Sequence, residues 1–140
     1  SADENANLEW FNTTGKASIE SYSKSIDTFV VSVGMNDIDN KDKYIEALNA
    51  LANENEDKNF IFVNIAPIDE SKNTSITNKQ IEIFNKEIQK ELNQKWRVID
   101  LHKYVVENDF NTVDGTRYSI GDLANIFSWI VNSISKEMNV

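Results

Sequence analysis

The chain has 140 residues, enough for one domain and one core, with 40% hydrophobic and 26% charged residues. A net charge of −9 argues against nucleic acid, because phosphate binding needs clustered Lys and Arg, and equally against an anionic membrane surface. No run approaches the 18 or so consecutive apolar residues of a membrane span, zero Cys excludes disulfides and thiolate metal sites, and a single His, His102, excludes a multi-histidine site.

The chain opens on polar SADENAN with Ser rather than Met, which reads as a processed or trimmed product without a visible signal peptide. Residues 8–11 read as a strand end or a loop and residues 17–25 as a short helix. The apolar, β-branched run 29–33 is a strand stopped by Gly34. Residues 41–54 follow as a helix, with Tyr44, Ile45, Leu48, Leu51 and Ala52 on one face. Residues 54–57, Glu-Asn-Glu-Asp, read as the solvated end of that helix.

A second strand covers residues 59–65 and ends at Ala66-Pro67. Thr77 with Gln80 three residues on is a capping box that opens a helix to about residue 93, with Ile81, Phe84, Ile88 and Leu92 recurring at spacings of three and four. A third strand covers residues 96–101, with His102 just past it as a surface or helix-start residue. Ser119 and Asp122 cap a last helix, from about 120 to 138, whose Leu123, Ile126, Phe127, Ile130 and Ile134 are predicted to face inward. Trp129 reads as core, and Trp10 with Phe11 is the best candidate for an exposed aromatic contact.

Strand alternating with helix implies a parallel sheet with right-handed crossovers, and such sheets bind ligands beyond the carboxyl ends of their strands. Gly34-Met35-Asn36-Asp37 and Ala66-Pro67-Ile68-Asp69 both sit at such ends. Asn and Asp also favour plain turns after strands, so both readings stand at this point.

The stretch VSVGMND resembles the G-x-N-D block of SGNH (GDSL-like) acyl hydrolases. Thr112-Val113-Asp114-Gly115-Thr116-Arg117-Tyr118-Ser119 is similar to the segment where those enzymes carry their Asp and His. The resemblance covers roughly residues 20–140. It implies one domain, 1–140, with a flavodoxin-like three-layer α/β/α sandwich and a parallel sheet. It further implies a bacterial esterase for an acyl or acetyl ester, such as that of a glycan, without a cofactor or metal, at the cell surface, secreted or in the cytoplasm. By resemblance, Asn36 is an oxyanion donor, with Gly34 lining the site and Asn7 at the place of the family's second glycine. Asp114 takes the place of the triad aspartate.

The sequence also departs from that pattern. No Gly-Asp-Ser block is present, no glycine lies near residues 5–8, and Arg117 stands where the histidine should be. An arginine stays protonated and cannot act as a general base. The expectation is therefore a pseudoenzyme: an esterase fold without turnover, or a degenerate domain of that fold binding a ligand or partner. The resemblance also implies that the first strand is missing, which would leave strand 29–33 as an unpaired apolar edge. Either an upstream segment or a second copy of the chain is expected to cover it.

Overall fold

A computed structural model describes residues 1–72 and 74–138. The chain forms an α/β domain around one three-stranded parallel sheet, in the order β1 (Thr28–Val31), β2 (Asn59–Val63), β3 (Trp96–Ile99). The register sets Val30 beside Ile61, and Ile61 beside Arg97. β2 is central and its Phe60 to Val63 are all buried, as a strand covered on both faces requires. β1 is an edge strand, and only Phe29 and Val31 are buried, while Val30 on the opposite face is 46% exposed.

The first helical region runs through α1 (Leu8–Trp10), a π-turn (Phe11–Gly15) and α2 (Lys16–Tyr22). Residues 8–11 are thus helical, not a strand end or loop. The start is made by side chains: Asn7 accepts from the Trp10 N–H at 2.9 Å, and the Asp37 carboxylate accepts from the Leu8 N–H at 2.8 Å. These partners satisfy donors that a helix N-terminus otherwise leaves orphaned. Inside the π-turn the Lys16 N–H reaches the Phe11 carbonyl, five residues back, which adds one residue to the turn.

α3 (Lys41–Glu54) and α4 (Asn78–Glu91) follow β1 and β2. Thr77 and Gln80 form the expected reciprocal cap of α4. Tyr44, Leu48 and Leu51 of α3 and Ile81, Phe84 and Ile88 of α4 join Phe29, Val31, Phe60, Phe62 and Trp96 in one core cluster, which also receives Phe11 and Ile19. The Trp96 indole N–H donates to the Leu48 carbonyl at 3.0 Å, so its polar atom is satisfied inside that core. Gly34 has φ +114, and a Cβ there would come 2.3 Å from the Phe84 ring. Glycine thus lets the chain turn tightly against α4.

The opposite face of the sheet carries the second cluster. Ile61, Val63 and Ile99 meet Leu101 and Val105 of α5 (Leu101–Asn108) and Ile126 of α6 (Ile120–Glu137). α5 begins where the third strand was expected to continue. Asp100 caps it by accepting from the Lys103 N–H at 3.1 Å, and His102 lies in its first turn. α6 departs further from expectation. Ile126 is buried, and Trp129, Ile130 and Ile134 pack against the cluster, but Leu123 is 48% and Phe127 68% exposed. Those two lie on a flank of α6 that no described element covers, so their apolar character does not place them inside.

Candidate functional site

The C-terminal ends of β1 and β2 form a polar rim. The loop 111–119 folds onto it: the Asp69 N–H donates to the Gly115 carbonyl at 2.8 Å, and the Tyr118 hydroxyl donates to the Pro67 carbonyl. An antiparallel bridge between Thr112 and Tyr118 closes the loop on itself. Burial pushes the Tyr118 phenol up to about 12.

At the tip of that loop Asp114 is bound by its own neighbours. One carboxylate oxygen accepts from the Arg117 N–H at 2.8 Å and the Thr116 N–H at 3.1 Å, and the other from Arg117 Nε at 2.7 Å. The backbone N–H of Arg117, then that of Thr116, hold its carboxyl well below the usual carboxylate range. Arg117 in turn is raised by its hydrogen bond to Asp114, with a smaller contribution from the Glu4 charge.

Glu4 also meets Asn36. The Asn36 side-chain amide donates to the Glu4 carbonyl at 3.1 Å and to the Ala6 carbonyl at 2.7 Å. A carboxamide has two N–H groups, and both are engaged by the N-terminal segment, leaving none for an oxyanion. Asn7 serves as the cap of α1, and Gly34 serves the backbone turn. Among the five residues singled out in the sequence, Asn36, Asn7 and Gly34 therefore anchor local structure. Asp114 and Arg117 form an exposed pair with each other.

Asp37 is the rim residue whose role the sequence did not reveal. Besides Leu8 it accepts from Asn40 Nδ2 at 3.1 Å and from the Tyr44 hydroxyl. Tyr44 is fully buried; desolvation, then the Asp37 hydrogen bond, push its phenol far above the ordinary tyrosine value. Asp37 thus ties α1, the turn after β1 and α3 together. His102 is likewise anchored: its N–H donates to Asn64 Oδ1 at 2.9 Å and its Nδ1 lies 3.0 Å from the Ile65 carbonyl. A carbonyl partner requires the proton on Nδ1.

A concavity lies elsewhere, along the outer edge of β1. A groove of about 450 Å³ separates that edge from α1–α2, with Trp10, Gly15, Ser18 and Tyr22 forming its helical wall. The Asp27 carbonyl accepts from the Asn59 N–H at 2.8 Å, so odd-numbered residues turn their backbone groups toward β2. Thr28 and Val30 therefore direct N–H and C=O outward into the groove. Among the described residues no strand pairs with them.

The family model of the OSK domain matches residues 13–120, from within the π-turn to the first residue of α6. No curated protein and no solved structure matches the chain. The family match overturns the likeness to SGNH hydrolases, and with it the esterase and pseudoenzyme readings built on that likeness. The blocks around Asn36 and Asp114 are short, and each of their residue types serves local structure here: amide to carbonyl, carboxylate to loop N–H, glycine to a tight turn. With residues 13–120 of 140 inside the match, the chain belongs to the OSK domain family.

Proposed function

We propose that this OSK domain is a protein-interaction module that accepts an extended segment of a partner polypeptide as a fourth parallel strand along β1. The open outer edge of β1 carries this reading. Edge strands invite pairing, and proteins that must avoid it place charges or proline there. Residues 28–33, Thr-Phe-Val-Val-Ser-Val, contain neither. The groove beside them lies between the sheet edge and α1–α2, and its wall is aromatic at Trp10 and Tyr22. Helices over both faces of the sheet, in a layered α/β/α arrangement, support the same reading, because a strand added here finds a helix waiting on one side.

The partner segment is apolar and β-branched, so that main-chain bonds to Thr28 and Val30 supply affinity and alternate side chains supply specificity. It is flanked by Lys or Arg, because a chain of net charge −9 attracts cationic partners and repels anionic ones.

The test uses a synthetic peptide of alternating Val and Thr with Lys at both ends. Binding is expected to slow hydrogen exchange at the Thr28 and Val30 amides. Val30→Pro is expected to abolish binding while leaving the fold intact, since the Val30 N–H makes no bond to β2. Unchanged exchange at both amides with saturating peptide refutes the proposal.

A further inference from the structure

Another hollow lies at the C-terminal ends of β2 and β3, away from the groove at β1. Its volume is about 220 Å³ and its lining is polar throughout. Glu82, Asn85, Lys86 and Gln89 line it from one face of α4, at positions i, i+3, i+4 and i+7. Opposite stand Asn64, directly after β2, and Asp100 and His102, just past β3. Parallel sheets hold ligands beyond the carboxyl ends of their strands, and this hollow is at that place.

Buried asparagines build its floor. Asn64 donates to Asp100 Oδ1 at 2.9 Å and accepts from the His102 N–H at 2.9 Å. Asn85 accepts from the Ile65 N–H at 3.0 Å and donates to the Ile65 carbonyl at 2.8 Å, and that carbonyl in turn holds His102 Nδ1. These bonds fix one polar atom of each side chain and leave the other, Asp100 Oδ2 and His102 Nε2, without a partner among the described residues. In the neutral ring Nε2 is an acceptor. On α4, Lys90 pairs with Glu91 at 3.8 Å. Glu82 and Lys86, one turn apart in the order that favours an ion pair, make none among the described residues, and both line the hollow instead. The site therefore offers two carboxylates and an imidazole lone pair to a donor, and one ammonium to an anion, on a base that holds Asp100 and His102 in place.

We propose that this hollow binds a free α-amino acid. The ammonium of the ligand donates to Asp100, Glu82 and His102 Nε2, and its carboxylate accepts from Lys86 and the Gln89 amide. No group of His, Asp and Glu among the described residues is placed to hold a metal ion, so these acceptors suit an organic cation with several N–H donors. A ligand with both charges close together also suits a hollow smaller than drug-sized sites of about 300–1,000 Å³. The site is independent of strand addition at β1.

NMR titration of the full chain with glycine and with L-serine tests this, reading the His102 ring protons and the Ile65 and His102 amides. Both amino acids are expected to give saturable shifts by about 20 mM, the range of weak millimolar binding. Acetate and methylammonium, each carrying one half of the charge pair, are expected to give none. Lys86→Ala and Glu82→Gln are expected to weaken binding on the order of tenfold, the loss of one charged hydrogen bond. Lys90→Ala, on the same helix but outside the hollow, is expected to leave binding unchanged. Shifts that do not saturate with either amino acid overturn the inference. So does equal binding of acetate alone, or a loss in Lys90→Ala as large as in Lys86→Ala.

Discussion

α4 and α6 carry the same kind of apolar periodicity but meet different fates. In α4 the residues Ile81, Phe84 and Ile88 are almost wholly buried, because the sheet and α3 surround that one face. In α6 only Ile126 is fully inside, although the helix is richer in apolar residues. Periodicity tells which residues share a face; burial depends on whether another element is there to receive it. The contrast extends to the sheet. The face beneath α3 and α4 is closed across all three strands, whereas Val30 leaves the other face open at β1.

Truncating each helix's large aromatic breaks the comparison most sharply. Phe84→Ala is expected to cost about 3–5 kcal/mol, a core phenylalanine leaving a cavity. Phe127→Ala is expected to fall within about 0.5 kcal/mol of wild type, as exposed positions do. Denaturant unfolding of the two variants measures both. Equal losses would mean that α6 is covered in solution by part of its own chain.

A smaller effect separates the two carboxylates of the rim. Asp37→Ala strands the buried Tyr44 hydroxyl and frees the Leu8 N–H, and is expected to cost about 1–3 kcal/mol in the same assay. Asp114→Ala removes an exposed pair and is expected to cost less. A ranking in the opposite order would show that the loop 111–119, not the turn after β1, holds the rim.

A separate effect concerns pH. The Tyr118 phenol titrates near 12 in the folded chain, against about 10 when unfolded. The unfolded chain therefore loses its proton first, and stability declines as pH rises from about 10 to about 12, being fully present below that window. Tyr44, raised further, adds to the decline in the same direction. Thermal melts at alkaline pH should show a shallower decline for Tyr118→Phe and a residual one from Tyr44. At the acid end the sign reverses for Asp114, whose lowered pKa contributes stability that is lost as pH falls below the ordinary carboxylate range.

How much of this was legible in the sequence depends on where each signal resides. The three strands and the helices α3 and α4 were readable because runs of Val, Ile and Phe and the Thr77–Gln80 cap are local. The helix over residues 16–22 was readable, but the helical start at residues 8–11 was misread because it is stabilised by Asp37, 29 positions away from Leu8, and Gly15 and two threonines weaken the local propensity between the two. α5 was missed because Asp100 reads equally as a strand end and as a cap. The rim residues drew attention through a short motif, and short motifs fix residue types without fixing their partners. Asn36 has the chemistry of an oxyanion donor, but the nearby Glu4 and Ala6 carbonyls decide what it does.

The ring of Phe84 occupies the space that a side chain at position 34 would need. The two positions are therefore exchangeable only as a couple: a methyl at 34 requires a smaller residue at 84 and a relaxed turn, and neither substitution is neutral alone. Across relatives of this domain, Gly34 and Phe84 should be inherited jointly, a covariation dictated by shape rather than by any shared chemistry.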